Sequence, residues 1–136
     1  MLRPNFEMSG QDKPGVFAGI FCDYFGTLVG VGGTINTELV SYLNIQHAAG
    51  KNIVIFSTVP DDAAAILPRL GLHPDIAKVV KKLDYYHRLL ETVIDDNPTV
   101  SLKAVTLFDP KSAVFLSIMR DCLRNAPPAQ PVPGLS

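Results

Sequence analysis

Apolar residues in this chain fall into short unbroken runs, and between the runs they recur at helical spacing. The first run, residues 16–22 (VFAGIFC), contains no polar position, which predicts a strand covered on both faces of a parallel sheet. Glycine-rich residues 26–34 (GTLVGVGGT) predict a turn or a small flap hairpin. Asn36 or Thr37 then caps a helix that carries Leu39, Val40, Leu43 and His47 on one face, and Gly50 stops it. A second buried strand is predicted at 52–57 (NIVIFS). It is followed by a helix opening at 60–67 (PDDAAAIL), with Asp61 and Asp62 at its positive end and Pro68 shortening or kinking it.

The second half continues the alternation. Residues 77–82 (AKVVKK) read as a weaker strand or extended connector, and 84–90 (DYYHRLL) as a short helical turn. A strand is predicted at 91–96 (ETVIDD), ending on two carboxylates, and the last at 103–108 (KAVTLF). Asp109 is placed as the cap of the final helix and Pro110 at its first position, with Val114, Phe115, Ile118, Met119 and Leu123 facing inward. Such β-α alternation predicts an α/β fold, a three-layer α/β/α Rossmann-like parallel sheet. The folded domain is expected over 16–125, after a loose lead-in at 1–15 and before an extended proline-rich tail at 126–136.

Composition narrows the function. The 136 residues suffice for one domain, and 47% hydrophobic content marks a globular chain. A net charge of -1 argues against nucleic acid or an anionic membrane as partner. The apolar runs are strand-sized, so no transmembrane helix is expected, and the absence of a basic-then-apolar leader predicts a cytoplasmic protein. Cys22 and Cys122 lie far apart and outside any metal-binding pattern, so both are expected as reduced thiols. His47, His73 and His87 show no metal-ligand spacing and read as surface or packing residues.

Candidate chemistry gathers where the strands run out. Ligands of open α/β sheets bind beyond the carboxyl ends of the strands. There the first strand ends on Asp23, the second on Ser57 and Thr58, and a later one on Asp95 and Asp96. Lys78, Lys81 and Lys82 lie upstream of that acid pair. A carboxylate nucleophile, a hydroxyl, an ammonium and paired acids form a set suited to phosphoryl chemistry. Asp23 would attack phosphorus, Mg²⁺ on the carboxylates would offset anion repulsion, and hydroxyl and lysine would bind the non-bridging oxygens. A receiver-type phospho-acceptor domain uses similar parts, but with the acid pair first and the acceptor mid-chain, the opposite of the order here.

In that order the chain resembles the haloacid dehalogenase (HAD) superfamily over about residues 16–125. DYFGTL (23–28) is similar to the first motif, DxDGT. IVIFST (53–58) is similar to the second, with Ser57 in the phosphate-binding place. KKLDYYHRLLETVIDDNP (81–98) resembles the third and fourth, with Lys82 as the motif lysine. The resemblance implies Asp23, Ser57 and Lys82 as catalytic residues. It implies phosphate contacts from Gly26, Thr27, Ser57, Thr58 and Lys82, and Mg²⁺ held by Asp23, the Phe25 backbone carbonyl, Asp95 and Asp96.

The pattern breaks at Phe25, where phosphatases of the superfamily carry the second Asp that protonates the leaving group and activates water. Phenylalanine can do neither, and losing such help costs about 10²–10⁴-fold in rate. The 2-haloacid dehalogenases carry Tyr at this place, but they enclose substrate under a cap. Here residues 28–36 are too short for a cap, and an open site excludes water poorly. The expected function is therefore a capless, impaired Mg²⁺-dependent phosphatase working through an aspartyl-phosphate on Asp23. The alternative is a pseudoenzyme that binds a phosphorylated ligand or a protein partner. Oligomeric state and physiological ligand have no signature in the sequence.

Overall fold

Five parallel strands in the order β3-β2-β1-β4-β5 organise the protein. They are β1 (Val16–Asp23), β2 (Ile53–Ser57), β3 (Val79–Lys81), β4 (Leu89–Ile94) and β5 (Lys103–Phe108). The computed structural model describes residues 15–61, 69–76 and 79–126. The expected lead-in and tail, most of the helix opening at Pro60, and Lys78 lie outside those residues. Among the described residues no helix is long and apolar enough to cross a membrane.

β1 takes the centre because its apolar run has work on both faces. Ile20 and Cys22 point into one cluster with Ile53, Ile55 and Ile94, beneath Leu39, Leu43, Phe115 and Met119. Phe21 points the other way, joining Phe56, Leu90, Val93 and Leu102, with Tyr85 and Tyr86 packed against them. The two described helices, α1 (Thr37–Ala48) and α2 (Ala113–Asn125), both serve the first face. The second is covered by the crossover from β3 to β4, whose residues Lys82–Tyr85 form a 3-10 turn.

Local chemistry decides the element ends. Asn36, not Thr37, caps α1: its Oδ1 accepts the Leu39 N–H at 3.2 Å. Gly50, at φ +95°, closes the C-terminus by donating to the His47 carbonyl at 3.0 Å.

Three expectations need correction. Ser112, not Asp109, caps the last helix, accepting the Phe115 N–H at 3.1 Å. Asp109 and Pro110 instead belong to the preceding turn, in which Asp109 Oδ1 accepts the Lys111 N–H at 2.9 Å. The inner face of that helix is also narrower than expected. Phe115 and Met119 are buried, whereas Val114 is 67% and Ile118 41% exposed. The strand expected at 91–96 also shifts: β4 begins at Leu89 and ends at Ile94, leaving Asp95 and Asp96 just beyond the ladder. The Asp95 N–H still donates to the Phe108 carbonyl at 3.1 Å, so the acid pair is tied to the end of β5 as it leaves the strand.

β1 carries an irregularity ahead of its carboxyl end. The register to β4 slips between Phe17 and Ile20, and Gly19, at φ +132°, sits in the slip. Its N–H leaves the ladder and donates to Glu91 Oε1 at 2.7 Å. A β-carbon at Gly19 would stand 2.7 Å from the Asn52 carbonyl oxygen, which is backbone and cannot yield cheaply. Gly19→Ala is therefore expected to lower stability by about 1–3 kcal/mol, read as a fall in the urea midpoint with unchanged slope.

Candidate active site

Parallel pairing delivers the chemistry to one edge. Asp23 lies opposite Phe56 in the β1–β2 ladder, so Ser57 sits one residue further out on the same edge. Cys22 pairs with Ile94 in the β1–β4 ladder, so Asp95 comes level with Asp23. Carboxylate oxygens of Asp23, Asp95 and Asp96 all lie within 4.8 Å of one another. Asp23 is 6% exposed and Asp95 1% exposed, a degree of burial that carboxylates reach only when partnered.

Lys82 is the partner. Its Nζ lies 2.8 Å from Asp23 Oδ1 and 2.8 Å from Asp95 Oδ2, with the ring of Phe56 at 5.2 Å. Of the lysines expected near the site, Lys82 is buried in it and Lys81 is exposed. Residues 82–85 form the 3-10 turn at the end of β3, and that turn carries the ammonium back over the sheet edge.

Thr27 joins the other side. Its Oγ1 stands 3.2 Å from Asp23 Oδ2 and 3.2 Å from Asp96 Oδ1, and accepts the Asp96 N–H at 3.2 Å. One hydroxyl proton serves one carboxylate at a time, so Thr27 holds the pair in position without neutralising it. Gly26, at φ +86°, makes the close approach possible: a β-carbon there would lie 2.6 Å from Asp96 Oδ2. Asp95 Oδ1 accepts the Asn97 N–H at 3.0 Å, which fixes the turn after β4.

The remaining residues occupy the rim. Ser57 is buried, and its Oγ accepts the Val59 N–H at 3.1 Å, while Thr58 is exposed. Phe25 is 37% exposed, its ring edge-on to Tyr24 at 4.7 Å. The stretch after Asp23 is a tight loop in which the Leu28 and Val29 N–H groups both donate to the Tyr24 carbonyl. Sequence reasoning assigned Thr27 to phosphate alone and missed its grip on Asp96. It also missed Phe56 beneath Lys82, because its place in the apolar run of β2 marks Phe56 simply as core.

Electrostatics follow from burial. Desolvation pushes the Asp23 carboxyl up to about 6, against the lowering effect of its hydrogen bond to Lys82; the Asp95 charge adds to the rise. Burial alone would depress the Lys82 ammonium, but hydrogen bonds to Asp23 and Asp95 outweigh it and hold the group above the ordinary lysine value. Three carboxylates against one ammonium leave surplus negative charge, which suits a hard divalent cation bound through oxygen. Asp23 Oδ2, Asp95 Oδ1 and Asp96 are the oxygens not already held by Lys82. Comparison with protein-family models, curated proteins and solved structures found no match for this chain.

An Asp23 midpoint above that of the unfolded chain means that this group favours the fold in acid and opposes it as pH rises through about 6. In the metal-free protein, the Asp23 carboxyl carbon is expected to titrate near pH 6 by NMR. In Lys82→Met the midpoint rises further and stability falls by about 3–5 kcal/mol, because two buried carboxylates lose their cation.

Proposed function

We propose that the protein is a HAD-like phosphohydrolase with impaired turnover, working through Asp23. The observation that carries this reading is the buried Lys82 ammonium, 2.8 Å from both Asp23 and Asp95 at the carboxyl edge of the sheet. A carboxylate nucleophile and a cation beside it are the parts that phosphoryl transfer needs where charge gathers. The family reading rests on that geometry and on the order of the four motifs.

Asp23 attacks phosphorus through a carboxylate oxygen. The phosphorus–oxygen bond to the leaving group breaks, and the departing alkoxide or aryloxide keeps the electron pair. Water then attacks the aspartyl-phosphate, releasing phosphate and restoring the carboxylate. Lys82 and the hydroxyl of Ser57 bind non-bridging oxygens, and Thr27 and exposed Thr58 line the same edge. Thr27 also keeps Asp23 and Asp96 in register. Asp23, Asp95, Asp96 and the Phe25 carbonyl would hold Mg²⁺, which would supply Lewis-acid screening of the incoming anion.

Phe25 sets the limit. No titratable group stands at that position, so leaving groups must depart without protonation and water attacks unassisted. Aryl phosphates meet the first condition and alkyl phosphates do not. A second reading, a pseudoenzyme that binds a phosphorylated ligand or a protein partner without turnover, is favoured by the same residue, whose exposed ring offers a contact surface at the mouth of the site.

Wild type is expected to cleave p-nitrophenyl phosphate slowly with Mg²⁺ and to leave an alkyl phosphate intact; Asp23→Asn abolishes the activity. Phe25→Asp gains about 10²–10⁴-fold and extends to the alkyl ester. Aryl activity that survives Asp23→Asn contradicts the mechanism. No turnover in wild type together with gain in Phe25→Asp selects the pseudoenzyme reading.

A further inference from the structure

We infer that His47, His73 and Asp75 form a second metal site, for zinc or a similar divalent transition metal, at the amino edge of the sheet. The site is independent of the carboxylates around Asp23. His47 lies in the last turn of α1; His73 and Asp75 lie on the segment that leads into β3. Asp75 Oδ2 stands 3.7 Å from His47 Nε2 and 3.7 Å from His73 Nδ1, and ligand atoms of the three residues all lie within 4.8 Å of one another. Ligands about 2.0–2.1 Å from a tetrahedral zinc stand about 3.4 Å apart, so the two pairs that include Asp75 need to close by only a few tenths of an ångström, and the pair of imidazoles by no more than about 1.4 Å.

Several features make this a built arrangement. Asn44 clamps the segment to α1, donating to the Gly71 carbonyl at 3.0 Å and accepting the His73 N–H at 2.8 Å. Ile76, buried in the core, anchors its other end, and its N–H donates to the His73 carbonyl at 2.8 Å. The His47 and His73 rings stack at 4.5 Å with 30° between planes, which keeps the two imidazoles side by side. The C-terminal end of α1, where the helix dipole is negative, favours a cation. Two imidazoles and one carboxylate match zinc, whereas the all-oxygen set at the opposite edge matches magnesium.

One hydrogen bond must give way. His73 Nδ1 accepts the Asp75 N–H at 3.0 Å, and metal binding through Nδ1 takes that lone pair. The released N–H faces solvent, because Asp75 is exposed. Exposure of Asp75 also leaves the fourth coordination position to water. Occupancy would staple the 71–76 segment to α1, far from the proposed catalytic edge.

The test is zinc titration of the full chain against a chromophoric chelator, with saturating Mg²⁺ to occupy the carboxylate edge. One equivalent is expected in wild type. None is expected in His47→Gln/His73→Gln, and binding about tenfold weaker in Asn44→Ala. In wild type, NMR of ring nitrogens is expected to show His47 and His73 shifting on zinc addition while His87 does not. That readout decides the matter even if the double variant fails to fold. Absence of zinc binding, or ring shifts confined to His87, overturns the proposal.

Discussion

Everything at the carboxyl edge depends on one buried ammonium. Lys82 stands between Asp23 and Asp95, and without it two carboxylates, each nearly sequestered from water, would face each other with no counter-charge. Their burial is tolerable because a cation with two short hydrogen bonds sits where the strand ends converge, over the ring of Phe56. The same contact underlies the proposed chemistry. It lowers the Asp23 carboxyl against the rise that desolvation causes, and it presents positive charge beside the oxygen that would attack in the proposed reaction.

Convergence is a property of the parallel sheet. With β1 central, β2 and β4 pair on either side in the same direction, so the residues after all three strands emerge together. The slip at Gly19 and the left-handed turn at Gly26 are local adjustments on that frame. One shifts the register of β1 before its end, and the other lets Asp96 approach a loop that any β-carbon would push away.

Strong signals in the sequence were local ones. Unbroken apolar runs located β1 and β2 almost to the residue, the mixed segment 103–108 located β5, and Asn36 or Thr37 with Gly50 marked the ends of α1 through capping chemistry that needs no tertiary context. Asp23 and the Asp95–Asp96 pair were legible because an acid ending an apolar run stands out. What could not be read depended on competition or on distance. Asp109 and Ser112 are both good caps, and only packing of Phe115 and Met119 against α1 decides between them. Choosing among three lysines required the path of the 3-10 turn. His47, His73 and Asp75 lack any sequence spacing because the fold, through Asn44, brings them together.

The phosphoryl reading stands or falls on whether an anion of that shape can dock on Asp23. Beryllofluoride, which adds to a carboxylate as a mimic of the acyl-phosphate, measures this without requiring turnover. Followed by ¹⁹F NMR, the wild-type protein should give bound fluoride resonances that require Mg²⁺ and vanish in Asp23→Asn. Bound resonances that persist in Asp23→Asn, or none at all in a wild-type protein shown to be folded, would contradict the account.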